Sequence, residues 1–421
     1  MIPNRIHMVG IGGIGMSALA QLLQHQGKEV TGSDREESPT TRLLEEKGIS
    51  VTIGHGILPD ETELLVFSDA VQKDNPERIA AEEKNIPQMS YFQLLGEVSK
   101  SARTVAIAGT HGKTTTTGMV AKILTDAGEH PTAIIGSIVR DFSSNFVAGR
   151  EDLFVVEACE YRDHLLELSP EILVITNIEL DHTDFFPSLE ALQHTFRRAI
   201  EKVPEHGVIV TNPNDPKIAA VLGGAKARIV DYTQKAVGSL QLVGEFNREN
   251  ARAALAAALA VAPQLSQEAG VKSLSEFKGS WRRFEFKGET PNGALVYDDY
   301  AHHPTAVQKT IEGAREKYPD KRIVVAFHPH LYSRTKSFLS EFGDALATAD
   351  SVIIAPIYAA REVVDPSISN HVLAEKVGPK AQALDSFDEI RDALLQEKEG
   401  TLIITMGAGD IYKVGEQITD E

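Results

Sequence analysis

The chain has 421 residues, with 42 Lys plus Arg against 60 Asp plus Glu, a formal net charge of −18. That length exceeds what one hydrophobic core supports, so two or three domains are expected. A hydrophobic share of 42% excludes a disordered chain, no apolar run approaches the roughly 20 residues of a membrane span, and the acidic balance argues against a binder of nucleic-acid backbones. The opening MIPNRIHMVG has no basic segment followed by an apolar stretch and a small-residue cleavage site. A cytoplasmic enzyme acting on small molecules is therefore expected, monomeric or homodimeric, with neither nucleic acid nor membrane as partner. Cys159 is the single cysteine, which leaves no internal disulfide and no cysteine-based metal cluster. It is expected to be a small buried residue.

Short Val-, Ile- and Leu-rich runs alternate with longer helical stretches from end to end, which predicts an α/β fold with mostly parallel sheets. The first such run, Arg5 to Val9, leads into Gly10, Gly12 and Gly15, a GxGxxG pattern, with a helix expected from Met16. Glycines there let the backbone approach a pyrophosphate at the helix N-terminus. Asp34 closes the next strand about twenty residues on, where an acid can accept a ribose hydroxyl. The pattern fits NAD and any other diphosphate nucleotide equally. A further strand is expected at Glu63 to Phe67, and the charged stretch Glu97 to Arg103 then precedes a new domain.

That second domain opens on TVAIAGTHGKTTTT, Thr104 to Thr117. The strand Thr104 to Ala108 runs into Gly109, Thr110, His111, Gly112 and Lys113, and a helix follows through Thr114 and Thr115. Backbone amides of this loop can surround phosphate oxygens, Lys113 supplies a point charge, and the Thr114 hydroxyl can ligate magnesium. The loop is a shortened variant of GxxxxGK[ST], since Ile107 stands five positions before Gly112. ATP is the expected nucleotide.

Two further strands, Leu153 to Glu157 and Ile172 to Thr176, place chemistry at their carboxyl ends. Glu157 ends the first; Asn177, Glu179, Asp181 and His182 follow the second. Ligands of open parallel sheets bind at that edge. Glu157 and His182 either hold a second metal ion together, or Asp181 and His182 merely cap a loop. Beyond the Ala-rich helix ending near Ala262, the segment Ser266 to Ser280 reads as a linker or a capping turn. A third domain then carries strands at Arg322 to Phe327, Ser351 to Ala355 and Thr401 to Thr405. The expected domains are residues 1–100, 101–280 and 281–421.

Four segments, GIGGIGMSALA, GTHGKTTTT, EACEY with NIELDH, and DDYAHHPT followed by HPHLYSRT, resemble the Mur ligase family across nearly the whole chain. The resemblance implies a Rossmann-like N-terminal domain, a central P-loop ATPase domain and a Rossmann-like C-terminal ligase domain. The first and fourth segments are most similar to members that join L-alanine to UDP-N-acetylmuramate through an acyl phosphate, using ATP and Mg2+. The alternative is the recycling member that attaches a tripeptide to the same sugar nucleotide.

The same resemblance distributes the residues. Gly12, Gly13, Gly15, Asp34, His55 and Ser68 would hold the UDP-sugar. Gly109 to Thr115, Asn247, Asn250, Arg283 and Asp298 would hold ATP, and Thr114, Glu157 and His182 the metal. Lys113, Glu157 and His182 would be catalytic, while Tyr300, His302 and Arg334 would bind the amino acid. Arginine suits a carboxylate because its planar fork bonds it bidentately. Phe246 stands where the family usually has histidine, and Leu331 where many members have a second arginine. The helix Leu189 to Lys202 offers Arg197 and Arg198 where several members carry a carbamylated lysine, so no carbamate is expected.

Overall fold

A computed structural model describes residues 2–54, 56–360 and 362–419. Its strands form three sheets. The first contains β1 (Arg5–Val9), β2 (Glu29–Asp34), β3 (Ser50–Ile53), β4 (Leu64–Phe67) and β5 (Gln88–Ser90), all parallel, in the order β3-β2-β1-β4-β5. Strand order reverses at β1, so the loops after β1 and β4 open side by side at the switch point. Ser68 N donates to Val9 O at 3.1 Å and ties those loops together.

The second sheet contains β6 (Arg103–Ala108), β7 (Pro131–Val139), β8 (Ser144–Val147), β9 (Arg150–Glu157), β10 (Ile172–Ile175), β11 (Val208–Thr211) and β12 (Arg228–Asp231). Their order is β12-β11-β10-β6-β9-β7-β8, and only β8 runs antiparallel to its neighbour. β6 lies between β10 and β9, with Ala108 opposite Ile175 and Ile107 opposite Glu157. Val105, Ala106, Ile107 and Ala108 are all fully buried, as expected of a strand covered on both faces.

The third sheet contains β13 (Glu285–Glu289), β14 (Leu295–Asp299), β15 (Arg322–Phe327), β16 (Ser351–Ile354), β17 (Ala381–Ala383) and β18 (Thr401–Met406), in the order β13-β14-β18-β15-β16-β17. β13 is an antiparallel edge and the rest are parallel. Side chains of β15 alternate between two apolar layers. Ile323, Val325 and Phe327 pack with Val307, Ile311, Phe342 and Leu373 on one face. Val324 and Ala326 pack with Ile390, Leu394, Ile411 and Val414 on the other.

The chain divides into two compact units. One comprises Met1–Ile178, Gln193–Gly238 and Ala251–Ser275, and so holds the first two sheets. The other comprises Glu179–Leu192, Ser239–Asn250 and Glu276–Glu421, and holds the third. Within the first unit, the helix Ile14–His25 is pinned to the β7–β8 hairpin by Asn145, which is fully buried. Asn145 Nδ2 donates to Ile14 O at 2.5 Å and Ser17 Oγ at 3.1 Å, and its Oδ1 accepts from Gln21 Nε2 at 3.3 Å. Among the described residues, no helix is long and apolar enough to cross a membrane.

Candidate functional site

In the first unit, the loop after β1 is drawn tight by its own neighbours. Asp34 Oδ2 accepts Gly12 N at 2.8 Å, so the acid ending β2 braces the glycine loop itself. Gly13 caps the helix Ile14–His25, whose N-terminal end therefore faces the loop. A Cβ on Gly15 would lie 2.8 Å from the Tyr91 hydroxyl, so only glycine lets the two approach. Burial, with the charge of Glu157, raises the Tyr91 phenol, which stays protonated. Gly12, Gly13, Gly15, Asp34 and Ser68 are thus brought together at the switch point, while His55 lies outside the described residues.

The loop after β6 enters the helix Lys113–Asp126 through Gly112, whose φ of 85° is left-handed. Asn177, at the end of β10, holds this loop: its backbone O accepts Thr110 N at 3.1 Å and its Oδ1 accepts His111 N at 2.9 Å. Thr176 Oγ1 donates to His111 O at 2.6 Å. Thr114 and Thr115 are buried in the first turn of the helix. Lys113 Nζ donates to Gly109 O at 2.6 Å, to Thr110 O at 3.2 Å and to the Glu160 carboxylate at 3.0 Å. Burial opposes the Lys113 charge, but the carboxylates of Glu160 and Glu157 outweigh it and raise its pKa.

Glu157 ends β9 beside β6 and accepts Gly136 N at 3.0 Å through Oε2. A Cβ on Gly136 would sit 2.3 Å from that oxygen, so this mid-strand glycine makes room for the carboxylate. Among the described residues Oε1 has no hydrogen-bond partner and is available to an oxygen-seeking cation. Cys159 is half-buried rather than buried. Burial and the Glu160 charge nonetheless push its thiol up to about 12, so it is an unreactive thiol at neutral pH.

In the second unit, residues at the carboxyl ends of β14 and β15 converge with Asp181. Arg334 Nε and Nη2 each lie 2.9 Å from Asp181 Oδ1, and Arg334 Nη1 lies 3.1 Å from His330 Nδ1. Arg334 and Asp181 are 3% and 4% exposed, so this is a buried ion pair and the guanidinium fork is already engaged. Asp181 resists its burial because Arg334, with His182, His302 and His303, holds its carboxyl well below the usual range. Asp181 Oδ1 also accepts His182 N at 2.7 Å, and His182 has a positive φ of 52°. Such backbone strain concentrates at functional positions.

His302 lies with its Nδ1 2.9 Å from Tyr300 O. Burial, then Arg334 and His330, hold its imidazole pKa well below the ordinary value, with Asp181 opposing. The ring is neutral at pH 7, donates through Nδ1 and keeps Nε2 as an acceptor. His303 caps the helix Pro304–Lys317 by accepting Thr305 N at 3.3 Å, while Nε2 donates to Leu180 O at 3.1 Å.

Other expected nucleotide residues lie elsewhere in this unit. Asn247 Nδ2 donates to Val243 O at 2.7 Å and Asn250 Nδ2 contacts Asn247 Oδ1 at 3.4 Å, both buried near the start of the helix Glu245–Val261. Asp298 is fully buried, with its oxygens on Arg282 Nε at 2.7 Å and Thr405 Oγ1 at 2.7 Å. Arg283 lies over the Tyr300 ring, 5.1 Å from its centre.

Comparison with known proteins gives the same picture along the whole chain. Residues 5–103, 107–239 and 282–409 match, respectively, the Mur ligase family catalytic domain, the Mur ligase middle domain and the Mur ligase glutamate ligase domain. A UDP-N-acetylmuramate–L-alanine ligase of Desulfitobacterium hafniense is 40% identical over 99% of this chain and 100% of its own. The crystal structure of a UDP-N-acetylmuramate–alanine ligase from Thermotoga maritima matches with a TM-score of 0.82 at 27% identity, covering 99% of this chain and 98% of that one. A murein peptide ligase from Psychrobacter arcticus reaches a TM-score of 0.76 at 26% identity, with the same coverage.

Proposed function

The chain belongs to the Mur ligase family, and we infer that it joins L-alanine to the carboxylate of UDP-N-acetylmuramate, with ATP as the phosphoryl donor. The observation that carries this is the 40% identity, end to end, to a ligase of that specificity. The three sheets are the three-domain architecture of the family, with domain limits proposed near residues 100 and 280.

A free carboxylate is a poor electrophile. Transfer of the γ-phosphoryl group makes it an acyl phosphate, the alanine amine attacks that carbonyl, and inorganic phosphate leaves as the amide forms. Catalysis then consists of positioning three substrates and neutralising charge on phosphate oxygens. In this reading the amides of Gly109 to Lys113 cradle the nucleotide phosphates, and Lys113 meets the transferring group as a point charge. The loop at Gly12, Gly13 and Gly15, with Asp34, His55 and Ser68, takes the UDP-sugar; Asn247, Asn250, Arg283 and Asp298 belong to the ATP side. Arg334 binds the alanine carboxylate between Tyr300 and His302, and must then share its fork with Asp181.

Magnesium is proposed as the metal, with Thr114, Glu157 and His182 as its protein ligands. The Thr114 hydroxyl and the open Oε1 of the Glu157 carboxylate suit a hard cation. When bound, the ion neutralises charge on the phosphate oxygens.

Inorganic phosphate release tests the reading. UDP-N-acetylmuramate, ATP and L-alanine together should support it, and omission of any one should stop it. The likeness to murein peptide ligases makes a tripeptide acceptor the second reading. Turnover with L-alanyl-γ-D-glutamyl-meso-diaminopimelate but not with L-alanine would establish that one instead.

Gly136→Ala should lower ligation about a hundredfold, since the new methyl displaces the Glu157 carboxylate by more than an ångström. The melting temperature should change little. Unaltered turnover would remove Glu157 from the reaction.

A further inference from the structure

The roles given to Lys113, Thr114 and Glu157 leave Glu160 without a task. It is 1% exposed, and its two carboxylate oxygens lie 3.1 and 3.0 Å from Lys113 Nζ. The chain brings it there by turning after β9, where Ala158 N donates to Ile107 O at 2.9 Å. The two acids of the EACE segment therefore part ways. Glu157 turns to Gly136 N, and Glu160 to the phosphate-loop lysine.

That placement is unfavourable on two counts. A buried carboxylate loses several kcal/mol of solvation. A fixed negative charge beside a phosphate loop also repels the phosphates the loop is built to hold. The compensation lies in what Glu160 does to the lysine. A lysine ammonium sits on four rotatable carbon links and is disordered unless held. Glu160, Gly109 O and Thr110 O together fix Nζ at the floor of the loop.

We propose that Glu160 is a positioning residue, which holds the Lys113 ammonium in place for phosphoryl transfer and gives up some ground-state nucleotide affinity in doing so. The proposal rests on the reading of Gly109 to Thr114 as an ATP phosphate loop. An interaction of this kind acts on turnover rather than on binding. Loss of Glu160 therefore separates the two quantities, whereas a merely structural role would lower them together.

The experiment compares wild type, Glu160→Gln and Glu160→Asp. ADP binding is measured by calorimetry in the presence of magnesium chloride, and kcat and KM by phosphate release with ATP, UDP-N-acetylmuramate and L-alanine. Glu160→Gln should lower kcat about ten- to a hundredfold, by analogy with the loss of a hydrogen-bond partner that orients a metal ligand. ADP should bind it at least as tightly as it binds wild type. Glu160→Asp, which keeps the charge at shorter reach, should recover part of the turnover and remains informative if the glutamine variant melts early. Wild-type kcat in Glu160→Gln, or ADP affinity that falls in proportion to kcat in both variants, would overturn the proposal. Wild-type protein that neither binds ADP nor releases phosphate would overturn the phosphate-loop reading, and this proposal with it.

Discussion

Lys113→Ala is expected to abolish ligation while the chain keeps its secondary structure. The loss should reach about a thousandfold or more, because a phosphoryl group in flight carries its charge on oxygens that this ammonium faces. The change has a second consequence, set by packing. Glu160 is wholly buried against Lys113, and removing one member of such a pair leaves the other uncompensated. The alanine variant should therefore melt somewhat earlier than wild type. Adding Glu160→Gln should return much of that stability and none of the activity. Circular dichroism follows the first effect and phosphate release the second. Turnover equal to wild type in Lys113→Ala would remove the phosphoryl-transfer role outright.

Asp298→Ala is expected to destabilise the second unit by about 3–5 kcal/mol, the range for removing one partner of a buried ion pair. Arg282 is 4% exposed, and besides Asp298 it donates to Gly409 O at 3.0 Å and Gly407 O at 2.6 Å. Its guanidinium is thus held in place and stays buried after its counter-charge is gone. Trp281 is the single tryptophan and lies 5.9 Å from that guanidinium, so its fluorescence follows unfolding of this unit in urea. An unchanged midpoint would show that the pair does not hold the unit together.

The pH dependence has a definite direction. Burial raises the Asp298 carboxyl to about 6, with Arg282 and Thr405 opposing. A carboxyl raised on folding contributes stability at low pH and loses it as the pH rises through that value. Asp298→Asn, which mimics the protonated form, should therefore compare more favourably with wild type at about pH 8 than at about pH 5.

Much of this was legible in the residues because buried parallel strands write themselves as unbroken apolar runs. Arg5–Val9 and Arg322–Phe327 lie where the sequence places them, and Thr104 to Ala108 lies within β6. The loops after β1 and β6 were equally visible, since glycines and a lysine at fixed spacing after a strand have few other uses. What stayed hidden depends on non-local approach. Gly136 is an unremarked residue in an apolar run until Glu157, 21 positions on, is seen to need its space. Its one signal was a glycine inside a strand, which marks close backbone approach. The pairing of Arg334 with Asp181 spans 153 positions and follows from tertiary structure alone. Glu160 stood in view within EACEY, but its direction toward Lys113 depends on the turn after β9.

Asn145 has a consequence for dissection of the protein. The helix behind the glycine loop takes its anchorage from a hairpin more than a hundred positions downstream, with His25 Nε2 also meeting Gly149 O at 3.1 Å. The leading sheet is therefore not an autonomous lobe that excision near residue 100 would release intact. Any excised piece meant to retain its native footing must carry the strands from Pro131 to Val147 with it.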